Sequence, residues 1–190
     1  MNKNENKIYV MKWSDMVMTV NDDKIPEENS DDEEQDLLDK MNFTPKEPII
    51  RFESIPHRGC VNRIRSLHGS NIVATWSDEG EVGIYDIQPA INDLDASVDE
   101  SILKLTSSSG AKKKKKNLPK KNYGGTKIAQ FRHKQEGYAI EWSPLTYGRL
   151  ASGSCDAHLM IYRPADENCS AFIKETQVAL QGHKDSIEDI

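Results

Sequence analysis

Cysteine is scarce in this chain, and its three copies, Cys60, Cys155 and Cys169, follow no paired spacing. An odd, scattered count excludes a disulfide framework and offers no zinc-ligand pattern. The expectation is a reducing compartment in which these thiols are small packing groups, and no metal site. Also missing is any run of about 18 apolar residues, which argues against a membrane span. The opening Met1-Asn2-Lys3-Asn4-Glu5 lacks the apolar core of a secretory signal, so the chain reads as intracellular. Nor is there a glycine-rich phosphate loop: Ser107 to Gly110 lacks the spacing and Gly124-Gly125 reads as a turn. No cofactor and no small-molecule substrate are expected.

What the sequence does have is a repeated pattern. One copy runs Phe131-Arg132-His133, Tyr138-Ala139-Ile140-Glu141-Trp142-Ser143-Pro144, Leu150-Ala151-Ser152-Gly153-Ser154-Cys155-Asp156 and Leu159-Met160-Ile161-Tyr162. Alternating apolar strand residues separated by turn residues at fixed offsets describe four short strands, one blade of a β-propeller. His133 opens the unit, Ser152 falls on a middle strand, Asp156 in the tight turn after it, and Tyr162 closes it. The same template finds His57, Thr75, Glu79 and Tyr85 upstream, with Glu in place of Asp at the turn. It begins again at Leu180-Gln181-Gly182-His183.

The fold class expected is all-β, a partial propeller. Residues 7–20 read as the tail of an earlier blade, 21–48 as an acidic disordered loop and 49–88 as a first blade. Residues 89–126 read as a helix plus basic insert, 127–165 as a second blade and 166–190 as the start of a third. A closed ring needs at least about four blades of roughly 40–45 residues. With 190 residues the chain reads as an internal piece of a longer protein, Met1 not necessarily its true start. Alone, with strand edges and apolar faces open, it is expected to be poorly soluble or partly unfolded.

Two charged segments interrupt the repeats. Glu27, Glu28, Asp31, Asp32, Glu33, Glu34, Asp36 and Asp39 crowd a stretch with little apolar area. It is either a solvated loop or an attractor for a strongly basic partner such as a histone or ribosomal protein. After a helical pattern at Ile91, Leu94, Val98, Ile102 and Leu105 come Lys112, Lys113, Lys114, Lys115, Lys116, Lys120 and Lys121. This cluster suits nuclear import or contact with phosphates; the plainer alternatives are a solvated loop or a partner for the acidic segment. The helix and this insert explain why His57 and His133 lie more than one blade apart.

The His, Ser/Thr, Asp and aromatic positions resemble the hydrogen-bond network of WD repeats. The phrases His57-Arg58-Gly59-Cys60-Val61-Asn62-Arg63-Ile64-Arg65 and Thr75-Trp76-Ser77-Asp78-Glu79-Gly80-Glu81-Val82, with Glu136 to Pro144 and the acidic run, resemble the glutamate-rich WD repeat-containing family. That resemblance implies a nuclear and nucleolar, non-catalytic chaperone of large ribosomal subunit biogenesis that binds histones and a large-subunit ribosomal protein, among pre-ribosomal assembly factors. It also implies a structural role for His57, Thr75, Tyr85, His133, Ser152, Asp156, Tyr162 and His183. The family's N-terminal histone-binding region and closing blades have no counterpart here, and the acidic run is shorter and mixed with Asn and Ser.

Ser152, His133 and Asp156 are also the side-chain types of a nucleophilic triad. In this register they are expected instead to satisfy one another and pin the turns, since burying them unpaired is costly. Trp13, Trp76 and Trp142 are expected as packing residues. Two alternative functions remain: a substrate receptor of a cullin-type ubiquitin ligase, for which only the Arg of Tyr162-Arg163-Pro164 speaks, and a histone-binding subunit of a chromatin-assembly complex.

Overall fold

The computed structural model describes residues 6–14, 48–96, 125–175, 180 and 182–190. These residues form β1 (Lys7–Ser14), β2 (Ile49–Pro56), β3 (Val61–Ser66), β4 (Ile72–Ser77), β5 (Glu81–Asp86), β6 (Thr126–Arg132), β7 (Ile140–Trp142), β8 (Leu150–Gly153), β9 (Leu159–Pro164) and β10 (Phe172–Lys174). Two four-stranded antiparallel sheets result, in the orders β3-β4-β5-β6 and β7-β8-β9-β10, and β1 pairs with β2. This is a partial β-propeller with successive blades. The chain divides into two units, Met1–Val10 with Glu53–Ile190, and Met11–Phe52. Of the second, only the paired ends of β1 and β2 and the residues flanking them are described.

Burial follows position in the sheet. Every residue of β4 (Ile-Val-Ala-Thr-Trp-Ser) is buried, because a middle strand in a blade is covered on both faces and so reads as a continuous low-polarity run. The flanking β3 and β6 alternate between half-buried and exposed residues, with Arg63, Arg65 and Gln130 among them. Gly80, at φ 73°, closes the turn from β4 to β5, its N–H donating to the Ser77 carbonyl at 3.1 Å. The matching turn between β8 and β9 uses Ala157 at φ 61°, with the same bond to Ser154.

The sheets do not coincide with the sequence units. The units 49–88 and 127–165 begin with β2 and β6, yet β6 completes the sheet of β3–β5, and β2 pairs backward with β1. Each repeat thus donates its first strand to the preceding sheet, which stitches neighbours together. Side-chain periodicity marks the repeat but not which strands hydrogen-bond. The helix over 88–96 buries Ala90 and Leu94 and half-buries Ile91; Val98, Ile102 and Leu105 lie outside the described residues. One core joins the two blades through Trp76, Ile84, Ile140, Leu150 and Tyr162, and a second packs Ile8, Ile55, Val73 and Tyr85.

Candidate functional site: blade networks and the seam between them

Each blade carries a buried imidazole–hydroxyl tie. In the first, His57 Nδ1 lies 2.9 Å from the Gly59 carbonyl, which can only accept, so Nε2 accepts from the Thr75 hydroxyl at 3.1 Å. Burial pushes the His57 pKa down, which favours the neutral ring. Glu79 pairs with the exposed guanidinium of Arg58 at 3.8 Å. Tyr85 packs its ring 6.0 Å from that of His57, and burial raises its phenol pKa.

In the second blade His133 Nε2 lies 2.7 Å from Ser152 Oγ, which lies 3.0 Å from the Tyr162 hydroxyl. Burial drives the His133 pKa down to about 4 and pushes that of Tyr162 up to about 12. Asp156 stands apart from this trio. Its Oδ1 accepts the His158 backbone N–H at 3.1 Å, and Nδ1 of His133 is buried with no hydrogen-bond partner among the described residues. Partial burial works against the Asp156 charge, but hydrogen bonds from the His158 N–H and the Ser154 hydroxyl hold its pKa low. Ser152, His133 and Asp156 therefore form no relay, and Ser152 is fully buried. His183 is exposed, away from any such tie.

The seam between the blades is tied in both directions. The Trp76 indole N–H donates to the carbonyls of Ala139 (3.0 Å) and Gly153 (2.9 Å), and its ring lies 4.8 Å from that of His133. In return the Trp142 indole donates to the Arg65 carbonyl at 3.1 Å, and Arg65 pairs with Glu141 at 2.7 Å. Trp76 and Trp142 are packing residues as expected and also supply polar contacts of the interface, whereas Trp13, on β1, is exposed rather than packed.

Sequence reasoning missed a second polar group. Glu81, on β5, is buried and bonded to Lys127 Nζ at 2.5 Å, with Arg132 at 3.7 Å. Burial opposes the Lys127 charge, yet the Glu81 carboxylate holds its pKa above the ordinary lysine value. Nζ also stands 5.4 Å from the centre of the Tyr85 ring. The acidic residues Glu27, Glu28, Asp31, Asp32, Glu33, Glu34, Asp36 and Asp39, and the lysines Lys112 to Lys116, Lys120 and Lys121, lie outside the described residues.

No helix among the described residues is long and apolar enough to cross a membrane. No family model matches the chain. Among curated proteins it is 34% identical over 146 residues to Protein HEAT STRESS TOLERANT DWD 1 of Arabidopsis thaliana, covering 76% of this chain and 28% of that protein. It is 36% identical over 145 residues to Glutamate-rich WD repeat-containing protein 1 of Dictyostelium discoideum, covering 76% and 25%. It is 28% identical over 162 residues to Ribosome assembly protein rrb1 of Schizosaccharomyces pombe, covering 82% and 28%. The chain spans about a quarter of the length of these relatives. Over that span, with its paired four-stranded blades and imidazole–hydroxyl ties, it belongs to the glutamate-rich WD repeat-containing family.

Proposed function

We propose that this chain is part of a non-catalytic WD-repeat scaffold that escorts basic clients, histones or a large-subunit ribosomal protein, during assembly of the large ribosomal subunit. The likeness to a protein named for ribosome assembly carries the assembly role. The eight acidic residues between Glu27 and Asp39 favour basic clients, because such a run speeds encounter with a cation-rich protein and shields its charge. Nuclear and nucleolar location follows from that role, with the lysines from Lys112 to Lys121 as the import signal. The blade networks hold the scaffold and take no part in turnover.

The test is binding of the full chain to core histones and to a basic ribosomal protein at rising salt, with and without residues 27–39. Deletion is expected to weaken binding and flatten its salt dependence. Unchanged affinity would remove the acidic run from client recognition.

A further inference from the structure

A groove of about 480 Å³ opens along the seam between the two four-stranded blades, with walls from both. Its apolar lining comes from Ile72 and Cys169, both buried, and the partly buried Ile128, beside the neutral polar Ser70, Asn71, Gln88, Asn168 and Ser170. The Tyr147 ring, 59% exposed, borders it. Two carboxylates, Asp86 at the end of β5 and Glu167 in the turn after β9, line it, and among the described residues no lysine, arginine or histidine does. Asp86 uses Oδ1 to accept the Gln88 N–H at 2.9 Å. The turn that carries Glu167 is fixed from within, since Asp166 accepts from the backbone of Asn168 (2.9 Å) and Ser170 (3.1 Å) and from the Ser170 hydroxyl (2.6 Å).

We propose that this seam groove docks an extended lysine- or arginine-bearing segment of a basic client, a reading that rests on the function proposed above. The apolar lining residues can take the methylene stem of such a side chain, an aromatic border suits its cation, and two carboxylates supply the opposite charge. The same carboxylates repel a nucleic acid backbone. A second copy of this chain, with net charge −6, is disfavoured on the same ground. The two blades that form the walls are adjacent, so the groove needs no further blade to complete it.

The probes are a hepta-lysine peptide, a hepta-glutamine peptide and core histones, titrated against the full chain at about 0.1 M salt, where the Debye length is about 10 Å. The double variant Asp86→Asn/Glu167→Gln keeps the Asp86 acceptor oxygen. It should lose about threefold to tenfold in affinity for hepta-lysine and for histones, the scale of two screened charges, with no change in unfolding midpoint. Tyr147→Leu should weaken both about twofold to fivefold by removing the ring and keeping the bulk. Histone binding that is intact and indifferent to both variants overturns the groove while the client reading stands. Hepta-lysine binding that depends on Asp86 and Glu167, without any histone binding, upholds the cation groove and overturns the client. Binding of hepta-lysine only after Lys112–Lys116 are changed to Ser would make the chain's own lysines the occupant and overturn a partner segment. Equal binding of hepta-glutamine would show that charge plays no part and would also overturn it.

Discussion

Trp76 fills the space that a side chain on Gly137 would need: a Cβ there would stand 2.7 Å from two carbons of the indole ring. The next seam position inverts the pair. Gly153, which matches Trp76 in the repeat, lies against Ile187, whose Cγ2 would be 2.5 Å from a Cβ on that glycine. Bulk from one blade thus meets a glycine of the next, and then a glycine meets bulk. Interiors are packed too tightly for either exchange to be neutral.

Gly137→Ala should therefore destabilise by about 1–3 kcal/mol, the range for overpacking, by pushing the indole off the Ala139 and Gly153 carbonyls. In a Trp76→Ala background the cost should shrink but not vanish, because the same Cβ would still clash with the Gly153 carbonyl oxygen. Denaturant unfolding of the four members of this double-mutant cycle gives the coupling, expected at about 0.5–3 kcal/mol. Additive effects would show that the indole does not sense position 137.

The ties within the second blade make an ordering of two variants testable. Ser152→Ala strips the hydroxyl between His133 and Tyr162, leaving these buried groups only their own long contact at 3.4 Å, and should lose about 1–3 kcal/mol. Asp156→Ala removes a carboxylate that serves the turn at His158, so its loss should be smaller, about 0.5–2 kcal/mol on the scale of a turn or cap acceptor. Equal or greater damage from Asp156→Ala in thermal melts would mean that Asp156 reaches His133 after all.

Ala157 and Gly80 occupy the same turn of successive blades in left-handed backbone, but only one is a glycine. A Cβ in that region crowds the following carbonyl, at about 1–2 kcal/mol per residue. Ala157→Gly should stabilise by about 0.5–1 kcal/mol once the greater freedom of glycine in the unfolded chain is subtracted. Gly80→Ala should do the reverse, with a Cβ 3.1 Å from the Gln135 carbonyl as well. An unfolding midpoint that falls for Ala157→Gly would contradict the strain argument.

The repeat was legible because His57 and Thr75, 18 residues apart, recur as His133 and Ser152, 19 apart, with Tyr162 ten further on, and those positions are buried in hydrogen-bonding arrangements here. Strand membership was not, because the pairing of β5 with β6 joins Asp86 to Thr126 across a long connection that leaves no local signal. For the same reason the Glu81–Lys127 pair stayed hidden. Glu81 reads as a polar strand residue after Gly80, and only the β5–β6 register puts Lys127 and Arg132 beside it. Neither turn carboxylate bonds its imidazole: Asp156 stands apart from His133, and at His57 the Gly59 carbonyl meets Nδ1.

The buried imidazoles also set how stability responds to pH. Desolvation lowers the His133 pKa from its ordinary 6.5 to about 4, so the unfolded chain takes up a proton at a pH where the folded chain does not. Stability from this group is whole above pH 6.5 and is lost progressively as pH falls toward 4. The full shift corresponds to a loss on the order of 3 kcal/mol. His57 is shifted in the same direction by its own burial and adds to the slope. His133→Gln, which keeps a hydrogen-bonding side chain but cannot titrate, should shrink the loss measured by denaturant unfolding between pH 6.5 and 4, leaving the part owed to His57 and to carboxylates such as Asp156. Parallel pH curves for the parent and the variant would mean that His133 is protonated within the folded blade and that its desolvation is relieved there.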